Sequence, residues 1–172
     1  MIRLAKVTDI EGILSVANDA IANLKADNVN QWQNGYPNRE VFLNDIKNQT
    51  LFVYDDNGIQ GICNLSFERD PSYDIIENGA WITNGNYLVI HRIAVSTKVI
   101  GSGVARQLFE FAIDFGQNNN IRSIRIDTHR DNKRMMGILR KVGFIKCGII
   151  HLINYNDGDN SRDAYELLID KR

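Results

Sequence analysis

Apolar residues along the chain switch repeatedly between helical spacing and alternation, and this feature constrains the fold most. Ile10, Ile13 and Leu14 recur at helical spacing, whereas Ile124 and Ile126 alternate with polar residues, as strands do. Applied to the whole chain, the same criteria predict the order β-α-α-β-β-β-α-β-α-β-β. That order is typical of an α/β domain with one mixed sheet, and at 172 residues a single domain over 1–172 is expected.

The boundaries follow from turn residues and changes of period. Strands are expected over 2–5, 51–54, 59–67, 87–95, 121–128, 144–153 and 164–169, and helices from about 9, after 38, after 103 and over 132–142. Asn57-Gly58 predicts a tight hairpin, because this pair accepts positive φ. The stretch 70–86 lacks a clear period and is expected to be a long connection with one helical turn, of a length that is often functional.

Composition excludes several classes of protein. Twenty basic and 21 acidic residues give a net charge of −1, which argues against nucleic-acid binding. No apolar run is long enough to span a bilayer, and the N-terminus becomes polar too early for a signal peptide. Cys63 and Cys147 are expected to be buried free thiols, and three dispersed histidines predict no metal site. A cytoplasmic location is therefore expected, with no membrane partner.

The segment with most chemical information runs from His91 to Arg106. A predicted strand enters Gly101-Ser102-Gly103, and an amphipathic helix follows. Glycines allow close approach to the backbone, and the free N–H groups of a helix start favour phosphate. The alternative is a plain strand-to-helix turn that needs small residues. Arg106 stands where a dinucleotide fingerprint has its third glycine, and the lysine of a P-loop is absent from the sequence.

These residues resemble the GNAT superfamily of acyl-CoA-dependent N-acyltransferases. Ile93-Ala94-Val95 is similar to the family's strand triplet, and the loop from Ile100 to Ala105 is similar to its pyrophosphate loop, Q/R-x-x-G-x-G/A. Ile100 replaces the usual Gln or Arg, which removes one polar side chain. Asn132 and Gly143-Phe144 match the family's next motif, so the resemblance covers essentially the whole chain.

The resemblance implies a specific architecture and cofactor. It implies a mostly antiparallel central sheet of about seven strands, splayed between the fourth and fifth strands, with helices on both faces. Acetyl-CoA would be the co-substrate, with its pantetheine arm in the resulting cleft. The residues that the resemblance assigns to coenzyme A are Ile93, Ala94, Val95, Gly101, Ser102, Gly103, Val104, Ala105, Arg106 and Asn132. An N-cap of the following helix is a further role for Asn132.

The catalytic residues are less closely defined by the sequence. Attack of an amine on a thioester needs a neutral amine, and hence a base. Many relatives place a Tyr as acid seven residues after the Asn, but this chain has Leu139 there. His91, which regular alternation puts on one face with Ile93 and Val95, is a candidate base, and His129 is the second. For both, the alternative is an ordinary structural histidine; Asp127 is a candidate to orient one.

Three aromatic residues are candidates for the acceptor pocket. Trp32, Tyr36 and Trp81 lie in the two long connections that line this pocket in relatives. An aromatic wall suits an amine with an apolar or cationic body, whereas the alternative is that these rings only fix the loops to the core.

The sequence thus predicts an acetyl-CoA-dependent N-acetyltransferase acting on a primary amine of a small molecule or a peptide. The alternative is an acyl-CoA-binding sensor of the same fold without turnover, which the missing tyrosine favours. The sequence leaves the oligomeric state open, with a homodimer among the arrangements.

Overall fold

The computed structural model describes residues 1–155 and 158–170. Its strands are β1 (Ile2–Leu4), β2 (Leu51–Asp55), β3 (Ile59–Ser66), β4 (Leu88–Val95), β5 (Ser123–Thr128), β6 (Ile145–His151) and β7 (Ser161–Leu168). Its α-helices are α1 (Ile10–Ala26), α2 (Arg39–Lys47), α3 (Val104–Asn118) and α4 (Lys133–Val142). The predicted element order is confirmed. β7 begins at Ser161, three residues before the start at 164 that the sequence predicts.

The seven strands are hydrogen-bonded in the order β1-β2-β3-β4-β5-β7-β6. β1 and β2, β2 and β3, β5 and β7, and β6 and β7 pair antiparallel. β4 and β5 pair parallel, with Leu88 opposite Ile124 and Val89 opposite Arg125. The mixed and mostly antiparallel sheet that was predicted is therefore confirmed. Ile93 and Val95 lie beyond the paired residues of the parallel ladder.

The first of two compact units comprises Met1–Ser66 and Ile90–Ala112. Its core is an apolar cluster in which Ile13 and Val16 of α1 meet Phe42 of α2 and Val53 and Ile62 of the sheet. The expected hairpin joins β2 to β3, and its turn has φ of 55° at Asn57 and 130° at Gly58. These are the positive angles for which the Asn-Gly pair is suited.

The second unit comprises Phe67–Val89 and the described residues from Ile113 onward. Tyr73, Val89, Ile150 and Ala164 form its buried apolar cluster. The long connection before β4 contains one short 3-10 turn, Pro71–Tyr73, as expected. Tyr73, on that turn, is buried in the cluster, so the connection is part of the core.

Both cysteines are buried free thiols, as predicted, and burial raises the pKa of Cys63 to about 12. Among the described residues, no helix has the length and apolar character that crossing a membrane requires. The described part of the chain also contains no group of three His, Cys, Asp or Glu side chains arranged to hold a metal ion.

Candidate functional site

The loop between β4 and α3 is shaped by two glycines with positive φ. Ile100 has φ −59° and ψ 130°, Gly101 has φ +83°, and the Ser102 N–H donates to the Val99 carbonyl at 3.1 Å. These values are typical of a type II turn, which needs glycine at its third position. Gly103, with φ +92°, then leads directly into α3. The sequence therefore placed glycines where the backbone requires them.

The start of α3 presents unpaired donors beside this loop. The Gln107 N–H bonds to the Gly103 carbonyl at 3.0 Å, so helix geometry leaves the N–H groups of Val104, Ala105 and Arg106 without intrahelical acceptors. A Cβ added at Gly101 or Gly103 would meet nothing within 4 Å. Together with the open space at Gly101 and Gly103, these N–H groups form a suitable site for an anionic phosphate group.

Asp19 of α1 fixes the entrance to the loop. Its Oδ2 accepts from the Ser96 Oγ at 2.9 Å, the Thr97 N–H at 3.0 Å and the Thr97 Oγ1 at 3.0 Å. Desolvation opposes the charge of Asp19, but these donors outweigh it and hold the pKa of the carboxyl below its usual value. The loop is thus tied to α1 by one ionised side chain.

β4 contains a local departure from extended backbone at Arg92, where φ is +44°. This conformation is costly for a residue with a Cβ, so surrounding interactions must impose it. The Arg92 guanidinium forms two bonds with Asp45, at 2.7 and 2.8 Å, and donates from Nη1 to the Tyr36 hydroxyl at 2.6 Å. Nothing in the sequence pattern of β4 indicates this feature.

The residues of β4 assigned to cofactor and base surround Arg92. Ala94 is buried, while His91, Ile93 and Val95 are half-buried. The prediction that His91 shares a face with Ile93 assumes regular alternation, and the left-handed backbone at Arg92 interrupts that alternation. His91 therefore remains a candidate base because an imidazole is suited to proton transfer. The strand geometry no longer supports its placement on one face with Ile93.

Asn132 and His129 lie between β5 and α4. The Asn132 Oδ1 accepts from the Met135 N–H at 3.1 Å, so the predicted N-cap is present. The His129 Nδ1 accepts from the Asp131 N–H at 3.1 Å, which places the proton of the neutral ring on Nε2. Burial, followed by the charge of Arg162, lowers the pKa of His129. His129 is therefore a neutral hydrogen-bond donor through Nε2.

Asp127, the candidate to orient a histidine, has a tyrosine as its partner, and the position of the family's acid is apolar. The Asp127 Oδ1 accepts from the Tyr73 hydroxyl at 2.7 Å, so this carboxyl meets a tyrosine. Burial is the main cause that raises the pKa of Asp127. Leu139, at the position of the family's acid, is fully buried and supplies no polar group.

Two of the three aromatic candidates lie in the first unit and contribute to its structure. Trp32 packs against the hydrophobic cluster built on α1 and the sheet. Tyr36 is exposed, but its hydroxyl accepts the Arg92 hydrogen bond. Both rings therefore have a structural contact whether or not they also contact an acceptor.

Trp81, the third, lines a cavity of about 350 Å³ in the second unit. Its Nε1 donates to the Tyr73 carbonyl at 2.9 Å, and the Arg125 guanidinium carbon lies 4.2 Å from the centre of its ring. The same carbon lies 4.1 Å from the centre of the Tyr87 ring. Trp81 therefore already stacks on a cation that belongs to the protein. Sequence reasoning missed Arg125, although the alternation in β5 puts it on the polar face with Ser123 and Asp127.

Comparisons with known proteins agree with this fold. A sequence model of the Acetyltransferase (GNAT) family matches residues 18–144. A GNAT-family acetyltransferase from Streptococcus agalactiae 2603 is 31% identical, with a TM-score of 0.89 over 99% of this chain and 96% of the other.

More distant structures share the fold alone. An N-acetyltransferase from Staphylococcus aureus Mu50 is 22% identical, with a TM-score of 0.70 over 99% of this chain and 98% of the other. A chain from the crystal structure of the NatC complex bound to Gag peptide and CoA is 16% identical, with a TM-score of 0.67 and the same coverage of 99% and 98%. No curated protein matches the chain significantly. The family match covers well over half of the sequence, and the chain therefore belongs to the GNAT family of acetyltransferases.

Proposed function

We propose that this protein is an acetyl-CoA-dependent N-acetyltransferase that acetylates a primary amine of a small molecule or a peptide by direct transfer. The observation that carries the proposal is the loop before α3, where Gly101 and Gly103 adopt positive φ beside an unpaired helix start. Family membership supports acyl transfer. The acetyl-CoA donor is inferred from the family and this loop together, and the acceptor from the aromatic residues of the two long connections.

The backbone between β4 and α3 fits the pyrophosphate of coenzyme A. Acetyl-CoA supplies an acyl thioester, and its diphosphate needs clustered donors rather than a specific side chain. The N–H groups of Gly101 and of 103–106 would provide them, because the Ser102 N–H already donates to the Val99 carbonyl. Val104 is buried as an anchor, and the Arg106 side chain pairs with Glu110 at 2.7 Å. The loss of the usual Gln or Arg at Ile100 therefore leaves the main part of this site in place.

The remaining cofactor contacts are proposed on β4 and α4. Ile93 and Val95 lie outside the paired residues of the parallel ladder, so their backbone groups are assigned to the pantetheine arm, with Ala94 between them. Asn132 caps α4 with its Oδ1 and is assigned to the thioester end through its Nδ2.

The two histidines are proposed in different roles. His91 is the base that takes a proton from the amine, directly or through water, because the amine attacks only when neutral. His129 is a donor, because its Nδ1 already accepts the Asp131 N–H and its lowered pKa keeps the ring neutral. His129 would stabilise developing negative charge without giving up its proton.

The acceptor is a primary amine that reaches the residues of the two long connections. Trp32 and Tyr36 are proposed to contact it in addition to their structural roles. Trp81 is proposed as a contact through its edge, because Arg125 stacks on its ring.

The cofactor site is tested by a matched pair of glycine substitutions. Neither Gly103→Ala nor Gly137→Ala introduces a contact within 4 Å, but only Gly103 has a positive φ, of +92°. Calorimetry should show coenzyme A affinity at least ~10-fold weaker in Gly103→Ala, about 1.4 kcal/mol, and unchanged in Gly137→Ala. Equal affinities in both folded variants would remove the loop from the cofactor site.

The base is tested by His91→Gln, with His151→Gln as the control. His151 is exposed and bonded to Glu77 and Asn160, each at 3.1 Å. Turnover should fall by about 10²–10⁴ in His91→Gln, with coenzyme A affinity nearly unchanged, and should persist in His151→Gln. Full activity of His91→Gln across the neutral pH range would exclude it as the base.

A non-catalytic acyl-CoA sensor is the second candidate function, and buried Leu139 at the usual acid position favours it. Release of free thiol from acetyl-CoA in the presence of a panel of amines separates the two. Turnover on any amine supports the enzyme, whereas tight coenzyme A binding without turnover on the whole panel supports the sensor.

A further inference from the structure

We propose that the cavity in the second unit is a binding site for a small organic carboxylate, which the guanidinium of Arg125 holds. Arg125 is only 5% exposed and forms part of the cavity wall. A volume of about 350 Å³ is at the small end of the range for ligand pockets. Carboxylate binding at this site does not depend on the proposed transfer reaction, although Trp81, a proposed acceptor contact, also lines the cavity.

Arg125 has hydrogen-bonding capacity that the described residues do not use. Its Nη2 donates to the Thr83 carbonyl at 2.6 Å. Its Nε is buried and, among residues 1–155 and 158–170, finds no hydrogen-bond partner. Because Nε is enclosed by the protein, a ligand in the cavity would instead meet Nη1, which has no hydrogen bond to the described residues and is not among their enclosed atoms.

The neighbouring carboxylate of Glu166 does not meet this need. Its Oε1 lies 3.6 Å from the Arg125 Nε, too far for a hydrogen bond. Glu166 instead accepts from the Ile82 N–H at 2.6 Å and from the hydroxyls of Thr83 and Ser123, each at 2.5 Å. These donors fix the position of the Glu166 carboxylate. From there it balances the charge of Arg125 but does not form a hydrogen bond with the Arg125 Nε.

The aromatic rings determine how a ligand can approach. Trp81 and Tyr87 lie 4.2 and 4.1 Å from the guanidinium carbon, so they cover its planar surface. An acceptor must therefore meet the guanidinium along its nitrogen-bearing edge. A planar carboxylate has the geometry that matches this edge, and a cationic ligand would be repelled.

The rest of the wall suits a small, partly polar molecule. Phe67 supplies apolar surface, and the exposed residues Asn84 and Asn86 supply amides. Arg69 pairs with Asp74 at 2.7 Å, so Arg125 is the remaining charge of the lining, and buried Glu166 balances it from outside the lining on the Nε side. The cavity therefore favours a single negative group on a small organic body.

The test is calorimetric titration of the full chain, without acetyl-CoA, with carboxylates and their neutral amides. The probes are acetate with acetamide, benzoate with benzamide, and succinate with succinamide. At least one carboxylate should bind about tenfold or more tightly than its amide. If no carboxylate binds more tightly than its amide, the proposal is wrong.

Substitutions of two exposed residues test where the carboxylate binds and leave buried Arg125 unchanged. Asn86→Asp adds a negative charge to the cavity lining and should weaken binding of the preferred carboxylate about fivefold or more. Asn44→Asp adds the same charge on α2, outside this lining, and should leave that affinity unchanged. Equal affinity in the two folded variants would overturn the assignment to this cavity.

Acetyl-transfer kinetics then show whether the bound carboxylate is part of the acceptor or a separate molecule. If the carboxylate is part of the acceptor, Asn86→Asp raises KM for L-phenylalanine but not for L-phenylalaninamide. If it belongs to a separate small molecule, both KM values stay unchanged while carboxylate binding remains weakened. Either result supports the site, and because the binding assay needs no turnover, failure of the proposed enzyme activity would not be mistaken for failure of the site.

Discussion

Arg92 in the first unit and Arg125 in the second are both largely buried, but their surroundings differ. Arg92 meets two oxygens of Asp45 and the Tyr36 hydroxyl. Arg125 meets two aromatic rings and one carbonyl, and its Nε has no hydrogen-bond partner in the part of the chain that the structure describes. The hydrogen-bond donors of the Arg92 guanidinium are used within the protein, whereas the Arg125 guanidinium can still donate to a ligand.

The difference shows that burial alone does not reveal what a charged side chain does. A buried arginine with matched donors acts as a structural tie, and here the tie accompanies the left-handed backbone of β4 at Arg92. A buried arginine with an unmatched donor and a cavity beside it is positioned for recognition. Substitutions around the two arginines test this contrast.

Asp45→Asn should give the largest loss of stability. The side chains of Arg92 and Asp45 are 14% and 8% exposed, so removing the negative charge leaves a cation that water reaches poorly. We expect the free energy of unfolding in urea to fall by about 3–5 kcal/mol. Exposed Asp56→Asn is the matched control and should change it by less than about 0.5 kcal/mol. A loss below about 1 kcal/mol for Asp45→Asn would show that Arg92 does not need its partner.

Substitutions of Tyr87 separate ring stacking from hydrogen bonding in the second unit. Its ring lies against Arg125, and its hydroxyl accepts from the Asp70 N–H at 3.2 Å. Tyr87→Leu should lower the free energy of unfolding by about 2 kcal/mol, because the buried cation loses an aromatic surface. Tyr87→Phe keeps the ring and should lower it by about 1 kcal/mol. Equal losses in the two variants would mean that stacking contributes nothing.

Tyr36→Phe removes one acceptor from Arg92 and should have a smaller effect. Because Tyr36 is 44% exposed, water can replace its hydroxyl, and we expect a loss of about 0.5–1 kcal/mol. The KM for amine acceptors should rise if Tyr36 also contacts the acceptor, as proposed. Half-buried Tyr54→Phe is the control for both measurements. An unchanged KM would leave Tyr36 with its structural role only.

The pH dependence of stability should show a modest effect of His129. Burial, then Arg162, lowers its pKa from the usual 6.5, so below about 6.5 the unfolded chain binds more protons. The contribution of His129 is therefore complete above 6.5 and is lost as the pH falls towards its folded pKa. Urea unfolding from about pH 5 to about pH 8 should show a smaller loss at low pH in His129→Gln.

His151 provides the opposite sign in the same experiment. Hydrogen bonds that His151 donates to Glu77 and then to Asn160 raise its pKa, so its contribution is present below 6.5 and is lost as the pH rises through the folded value. Because His151 is exposed, His151→Gln should alter the profile least. A steeper low-pH loss in His129→Gln than in the unmodified protein would contradict the burial argument.

The parts of this fold that the sequence predicts are those set by local rules. Element order followed from apolar spacing, the hairpin from Asn57-Gly58, and the loop before α3 from Gly101 and Gly103. In each case a few neighbouring residues determine the backbone conformation, so the local sequence is enough to predict it. The N-cap at Asn132 belongs to the same group.

The parts that the sequence does not predict depend on residues far apart in the chain. Arg92 and Asp45 are 47 positions apart, and Arg125 and Thr83 are 42 apart. No local pattern shows which distant partner a buried arginine meets. Trp81 illustrates the limit, because its aromatic character was evident from the sequence but the cation stacked on it was not.

The tie between Asp19 and the loop has a consequence for how ligands act on the first unit. One carboxylate oxygen connects α1 to the segment that precedes α3. A cofactor that orders this loop thereby also restrains α1, and any acceptor that engages the end of α1 must in turn favour the ordered loop. Such reciprocity is thermodynamically required wherever two ligands share one restrained element. The two proposed ligands would then strengthen each other's binding to the same degree, through a single hydrogen-bonded oxygen.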